Sequence, residues 1–253
     1  MIMNSNIEIV QKYCYLGIIF SSTGNFKNAC DALYDKALKA FYKFKQLHPQ
    51  NNVKIALQLF DTLILPIVSY ASVVWAPLYY TKTSKDNFFT LCNNSPIEKL
   101  NIKLCKYILG VNKSLTNDAV RGELGRFPLL INILNHSERF YNRIMTNNND
   151  TLVKLSCIDE NVRSIDSSWI TSIRNIQQLF CTTSSMQADM QTTYSDSWSS
   201  LMKSHGSDSK LIIFSQFKTV FKLENFIVQF PLHIRRNLTK LRISAHRLAI
   251  ETG

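Results

Sequence analysis

The chain of 253 residues is 45% hydrophobic, which excludes a disordered polypeptide and suffices to bury a sizeable core in one or two domains. Its 29 Lys and Arg outnumber its 18 Asp and Glu, for a net charge of +11. That excess suits a polyanion such as nucleic acid, or an anionic membrane surface; the plainer account is a solvated basic face with no dedicated partner.

In chain order, residues 10–24 (VQKYCYLGIIFSSTG) read as one strand running into a turn. Cys14, Leu16, Ile18 and Phe20 fall on one face, and Tyr13, Tyr15, Gly17 and Ile19 on the other. A glycine inside a strand marks a bulge or the close approach of another backbone. The turn at STGN offers Asn25 as a helix cap, and apolar residues at 26, 29, 33, 37, 40, 41, 44 and 47 predict an amphipathic helix. Lys36, Lys39 and Lys43 make a basic stripe beside its apolar face. Pro49 closes it, and an apolar helix is expected from 53 to about 75. Residues 62–81 carry no charge over a length that could span a bilayer. Pro66 and Pro77 interrupt them and Ser69 and Ser72 dilute them, so a buried helix is the expectation and no membrane partner is inferred.

A polar loop at 81–86 precedes a helix at 96–109, ended by Gly110. Two short helices follow within 115–145, broken by Gly125 and Pro128, with Thr116 as the first cap. Further helices are expected at 151–162, 168–180, 195–204 and 209–226, and the Ser/Thr/Gln-rich stretch 182–193 is the expected hinge. The last helical unit, 231–251, carries Arg235, Arg236, Lys240, Arg242 and Arg247, with no acidic residue before Glu251. Its apolar side is expected to dock on the preceding helices and leave these cations in water.

Catalytic constellations are scarce. Two-metal phosphoryl chemistry needs carboxylates close together on a rigid turn, and the chain has no Asp-Asp pair. No phosphate-binding glycine loop, H-E-x-x-H or G-x-S-x-G occurs, and His48, His136, His205, His233 and His246 stand apart from one another and from cysteines at ligand spacing. The six cysteines (Cys14, Cys30, Cys92, Cys105, Cys157, Cys181) show no metal-binding spacing and read as reduced thiols of an intracellular protein, in nucleus or cytoplasm, with no targeting signal. Five N-x-S/T sequons, from Asn93, Asn112, Asn135, Asn149 and Asn237, reflect an asparagine-rich composition.

Five stretches occur in one order: YCYLGIIFSSTGNF, LFDTLILPIVSYASVVWA, IEKLNIKLCKYILGV, VRGELGRFPL and LTKLRISAHRLAIETG. Together they resemble the region after the palm in reverse transcriptases of non-long-terminal-repeat (LINE-type) retrotransposons. DSWSSLMKSHGSDSKLIIFSQFKTVFKLENFI is similar to a helical segment of the same family, so the resemblance spans nearly the whole chain. It implies that Tyr15, Leu16 and Gly17 belong to the hairpin that holds the primer end, with thumb helices after it. The backbone approaching Gly17 would then be a primer strand; a bulge packed on the first helix is the alternative. The family's catalytic aspartates lie upstream of this strand, and a Cys/His-rich motif follows its counterpart of IETG, whereas this sequence runs from Met1 to Gly253. Val73 stands where the family often has an acidic residue.

The expectation is therefore a mainly α, multi-helical fold preceded by a short N-terminal β-hairpin: a primer-grip-like hairpin at 1–24, a thumb-like region at 25–181 and a basic helical segment at 194–253. The resemblance implies a fragment of an RNA-directed DNA polymerase without its catalytic palm. It would bind RNA template and DNA primer through Tyr15, Gly17, Lys36, Lys39, Lys43, Arg235, Arg236, Lys240, Arg242 and Arg247. Catalysis and cofactors are not expected in this chain, although the parent polymerase would use Mg²⁺. A helical protein-interaction module, or an inert relic with no nucleic-acid role, is the alternative.

Overall fold

Leu16 and Gly17 have φ of 47° and 83°, and two consecutive positive φ values are the signature of a tight primed turn that sends a strand back on itself. The computed structural model describes residues 9–47, 52–80, 85–147, 151–163, 168–180, 185–204 and 211–243. In it the stretch read locally as one strand forms the expected N-terminal hairpin. Strand β1 (Lys12–Tyr15) pairs antiparallel with β2 (Ile18–Ser21), placing Tyr15 opposite Ile18 and Tyr13 opposite Phe20. Gly17 is thus a turn residue and neither a bulge nor an in-strand gap. Its conformation is one that side chains rarely adopt.

The rest of the described chain is helical, as expected. Helix α1 (Lys27–Leu47) begins where the Asn25 side chain accepts a hydrogen bond from the Lys27 amide at 3.3 Å. Its buried face, Ala29, Leu33, Ala37, Phe41 and Phe44, repeats near 3.6 residues and meets Phe60 and Tyr107 edge to ring.

The apolar stretch forms three helices instead of one: α2 (Val53–Leu63), α3 (Leu65–Val68) and α4 (Ser72–Tyr80). Pro66 starts α3, where its missing amide hydrogen is harmless, and Ala71 at φ 50° breaks the path between α3 and α4. The indole Nε1 of Trp75 donates to the Tyr70 carbonyl at 2.9 Å and locks the corner. Residues 53–68 and 72–80 consequently diverge by 80°. No single helix among the described residues is long and apolar enough to cross a membrane, although this bent pair has the length and composition of a broken span. Val68, Trp75, Ala76 and Tyr80 are buried within the molecule.

Helix α5 (Lys85–Asn93), which periodicity did not reveal, sets Phe88 against Phe180. Helix α6 (Pro96–Leu109) is capped by Ser95, whose hydroxyl accepts from the Glu98 amide, and ends at Gly110 in the left-handed region. Then come α7 (Asn117–Leu124), α8 (Leu129–Thr146), α9 (Leu152–Arg163) and α10 (Trp169–Phe180). Helix α4 packs on α8, with the Ser137 hydroxyl donating to the Ser72 carbonyl.

Three expectations fail in the last third of the chain. The hinge is largely helix: α11 spans Met186–Lys203 because Met186, Met190, Tyr194, Trp198 and Met202 form a buried stripe at every fourth residue, hidden in the sequence by polar neighbours. The helix expected at 209–226 is two short ones, α12 (Ile212–Phe217) and α13 (Asn225–Gln229). Between them the buried Lys218 ammonium donates to the Lys222 carbonyl at 2.6 Å and pairs with Glu224, which holds that segment out of helical form. Helix α14 (Leu232–Arg242) is shorter than expected, and residues 244–253, with Arg247, lie outside the described residues.

Candidate nucleic-acid interface

The hairpin turn does not stand alone. The Tyr70 hydroxyl donates to the Leu16 carbonyl at 2.8 Å across 54 residues, and a Cβ built on Gly17 would lie 3.6 Å from Tyr70 Cε1. What approaches Gly17 is therefore an aromatic ring of the same chain. Gly17, Leu33, Lys36, Pro66, Ile67 and Tyr70 line a groove of about 440 Å³ between the turn, α1 and α3. Two expected site residues from separate motifs, Gly17 and Lys36, thus share one groove. Tyr15 is exposed on the hairpin above the turn.

Lys36, Lys39 and Lys43 are all exposed on α1, and none has an ion-pair partner among the described residues. Nearby cations are engaged: the Lys45 ammonium lies 5.1 Å from the Tyr107 ring centre, and Lys103 donates to the Tyr34 hydroxyl. The stripe keeps its charge for solvent or a polyanion.

The cations of α14 are disposed differently from the expectation that all stand in water. Arg235 is buried. The Arg236 guanidinium lies over Gly110, so close that a Cβ there would meet Nε at 2.5 Å. It faces the C-terminal end of α6, where a cation is favoured by the helix dipole. Arg242 donates to the Glu123 carboxylate at 2.6 Å and sits over the Phe217 and Phe226 rings. The reason is common to the three: the helix packs on α6 and α12 and reaches α7 through Glu123, so guanidiniums at these positions point into protein. Lys240 is half-buried, with no ion pair among the described residues.

Sequence reading missed the buried polar lattice around α7. Arg121 and Glu98 form an ion pair with no exposed side-chain surface. The second Glu98 oxygen accepts from the Leu130 amide at 2.9 Å, and Asn101 links Glu98 to the Phe127 carbonyl. Arg126 donates to Asn101 at 3.2 Å and clasps Asp61 with both terminal nitrogens. On the other side of α7, Gly122 admits the Trp198 ring, whose indole nitrogen donates to the Asp118 carbonyl at 2.9 Å. Glu98 in α6 and Arg121 and Glu123 in α7, all without exposed side-chain surface, could have been found only as charges at apolar-period positions, the signal the helical pattern left unexplained.

The chemistry available at these sites is charge and stacking. The described cysteines are unbridged, and burial pushes the Cys30 and Cys92 thiols up and that of Cys105 to about 11, which keeps them un-ionised and poor nucleophiles. Among the described residues no three His, Cys, Asp or Glu side chains converge to hold a metal ion. Comparison of the chain with models of protein families, with curated proteins and with solved structures finds no match.

Proposed function

We propose that this chain is a nucleic-acid-binding piece of a reverse transcriptase of the LINE type, the part that follows the catalytic palm, and that it holds a template–primer strand without chemistry of its own. The observation that supports this reading is the meeting of the hairpin turn with the lysine stripe: Gly17 and Lys36 line one groove, and Lys39 and Lys43 continue from it along α1, exposed and without an ion pair among the described residues. Phosphate contacts need little more than such cations, and they give affinity without reading sequence. The test is fluorescence anisotropy with a labelled RNA–DNA primer–template across a salt series. Replacing Lys36, Lys39 and Lys43 by Gln should weaken binding and flatten the salt slope by about two to three. An unchanged slope returns the stripe to a plain solvated face. Added Mg²⁺ and nucleotides should give no primer extension; extension above a no-protein control overturns the non-catalytic part.

One observation favours a second reading, a protein-interaction module. Helix α9 exposes Leu152, Leu155 and Ile158 along one side, an apolar stripe that a partner helix could cover. Association that is indifferent to salt would support it.

A further inference from the structure

We propose that the groove at Gly17 and Tyr70 receives one unstacked nucleobase, and that Lys36, Lys39 and Lys43 follow the phosphates of the same strand, so that the ligand is single-stranded nucleic acid. This inference rests on the nucleic-acid reading above and names its ligand class. The groove is apolar along Leu33, Pro66 and Ile67, open to solvent, and about 440 Å³ in volume. A duplex has nothing to offer such a surface, because its bases are stacked and show only their edges in the grooves. An unpaired base has a free face.

The ring that would meet it is already held. Tyr70 is tied at its hydroxyl to the Leu16 carbonyl and at its own carbonyl to Trp75, so little freedom is left to lose on binding. The turn at Gly17 lies against that ring, where a Cβ would already be in contact at 3.6 Å, and supports it. Charge complementarity fixes the occupant's second half. Lys36 is in the groove wall, and Lys43 lies seven residues on, about 10.5 Å along the helix axis. An apolar groove beside a line of cations is the arrangement by which proteins grip single strands: stacking for the base, charge for the phosphates.

The experiment compares three ligands of equal length on the wild-type chain: a single strand, the same strand with abasic positions, and a blunt duplex. The single strand should bind about tenfold or more tighter than either of the others. Filling the groove with Ile67→Trp should bring single-strand affinity down to the duplex value without changing the salt slope, since the lysines are untouched. Equal affinity for all three ligands, with a normal salt slope, overturns the base site and leaves the polyanion reading standing. Absence of salt-dependent binding to any of them overturns both. Should Ile67→Trp fail to fold by circular dichroism, the abasic comparison on the wild-type chain decides alone.

Discussion

The Arg121 guanidinium reaches the Glu98 carboxylate at 2.7 Å inside the protein, where neither side chain exposes any surface. Glu98 belongs to α6, and its other oxygen receives the first amides of α8 through Leu130. The pair therefore fixes α6, α7 and α8 to one another.

Removing one partner strands a charge. Arg121→Met or Glu98→Leu should each destabilise the fold by about 3–5 kcal/mol. The double variant Glu98→Leu with Arg121→Met should lose clearly less than the two losses added together, because no charge is then left unpaired. Urea unfolding of the four proteins measures this, and additive losses would refute the coupling.

Gly122 gives a prediction of opposite sign to helix propensity. In an exposed helix, glycine to alanine stabilises by up to about 1 kcal/mol. Here a Cβ would stand 2.5 Å from a carbon of the Trp198 ring. Gly122→Ala should therefore destabilise by about 1–3 kcal/mol, the cost of overfilling a packed core. A rise in melting temperature would count against the packing described.

Glu123 should leave a mark on the pH dependence of stability. Burial raises its pKa from 4.5, and Arg242 and Lys218 only partly offset that. The folded state then holds the proton more tightly than the unfolded chain does. Its contribution to stability is greatest below the unfolded value of 4.5 and declines as the pH rises through the higher folded value. Glu123→Gln should remove that decline. Denaturant unfolding at intervals between pH 4 and 7 tests it, and an unaltered profile would assign the slope to other groups.

Arg242 should matter to the fold more than to phosphate. Arg242→Gln leaves Glu123 buried without its partner and should cost about 1–3 kcal/mol. Its effect on the salt slope of nucleic-acid binding should be small beside that of the Lys36, Lys39 and Lys43 replacement. Deleting residues 231–253 should lower the melting temperature and broaden or abolish the unfolding transition. A truncated chain as stable as the full one would return α14 to the role of a detachable basic tail.

Local rules read well where local rules decide. The α1 stripe, the Asn25 cap and the Gly110 stop all follow from spacing and residue type. Tertiary partners decided the rest. Leu16-Gly17 reads as strand until the left-handed turn is recognised, and residues 186–193 read as loop because one buried methionine or tyrosine in four is diluted by serine, threonine and glutamine. Charges mislead most. Arg235, Arg236 and Arg242 resemble a phosphate-binding row in one dimension, yet they face protein, because the carboxylate and helix end that receive two of them lie more than a hundred residues away. The stretches that carry the family resemblance are joined by side-chain contacts: Leu16 with Tyr70, Asp61 with Arg126, Glu98 with Arg121 and Glu123 with Arg242.

The bond between Glu123 and Arg242 also sets an order of events on the ribosome. The two residues are 119 positions apart, so at about 5–20 residues per second roughly 6–24 s separate the synthesis of one from the other. Through that interval α7 can settle on α6 and α8, whose residues flank it in the chain, while its opposite side waits in water with an open carboxylate. The nascent protein thus passes through a half-clad stage with Glu123 hydrated, and the arrival of Arg242 closes it.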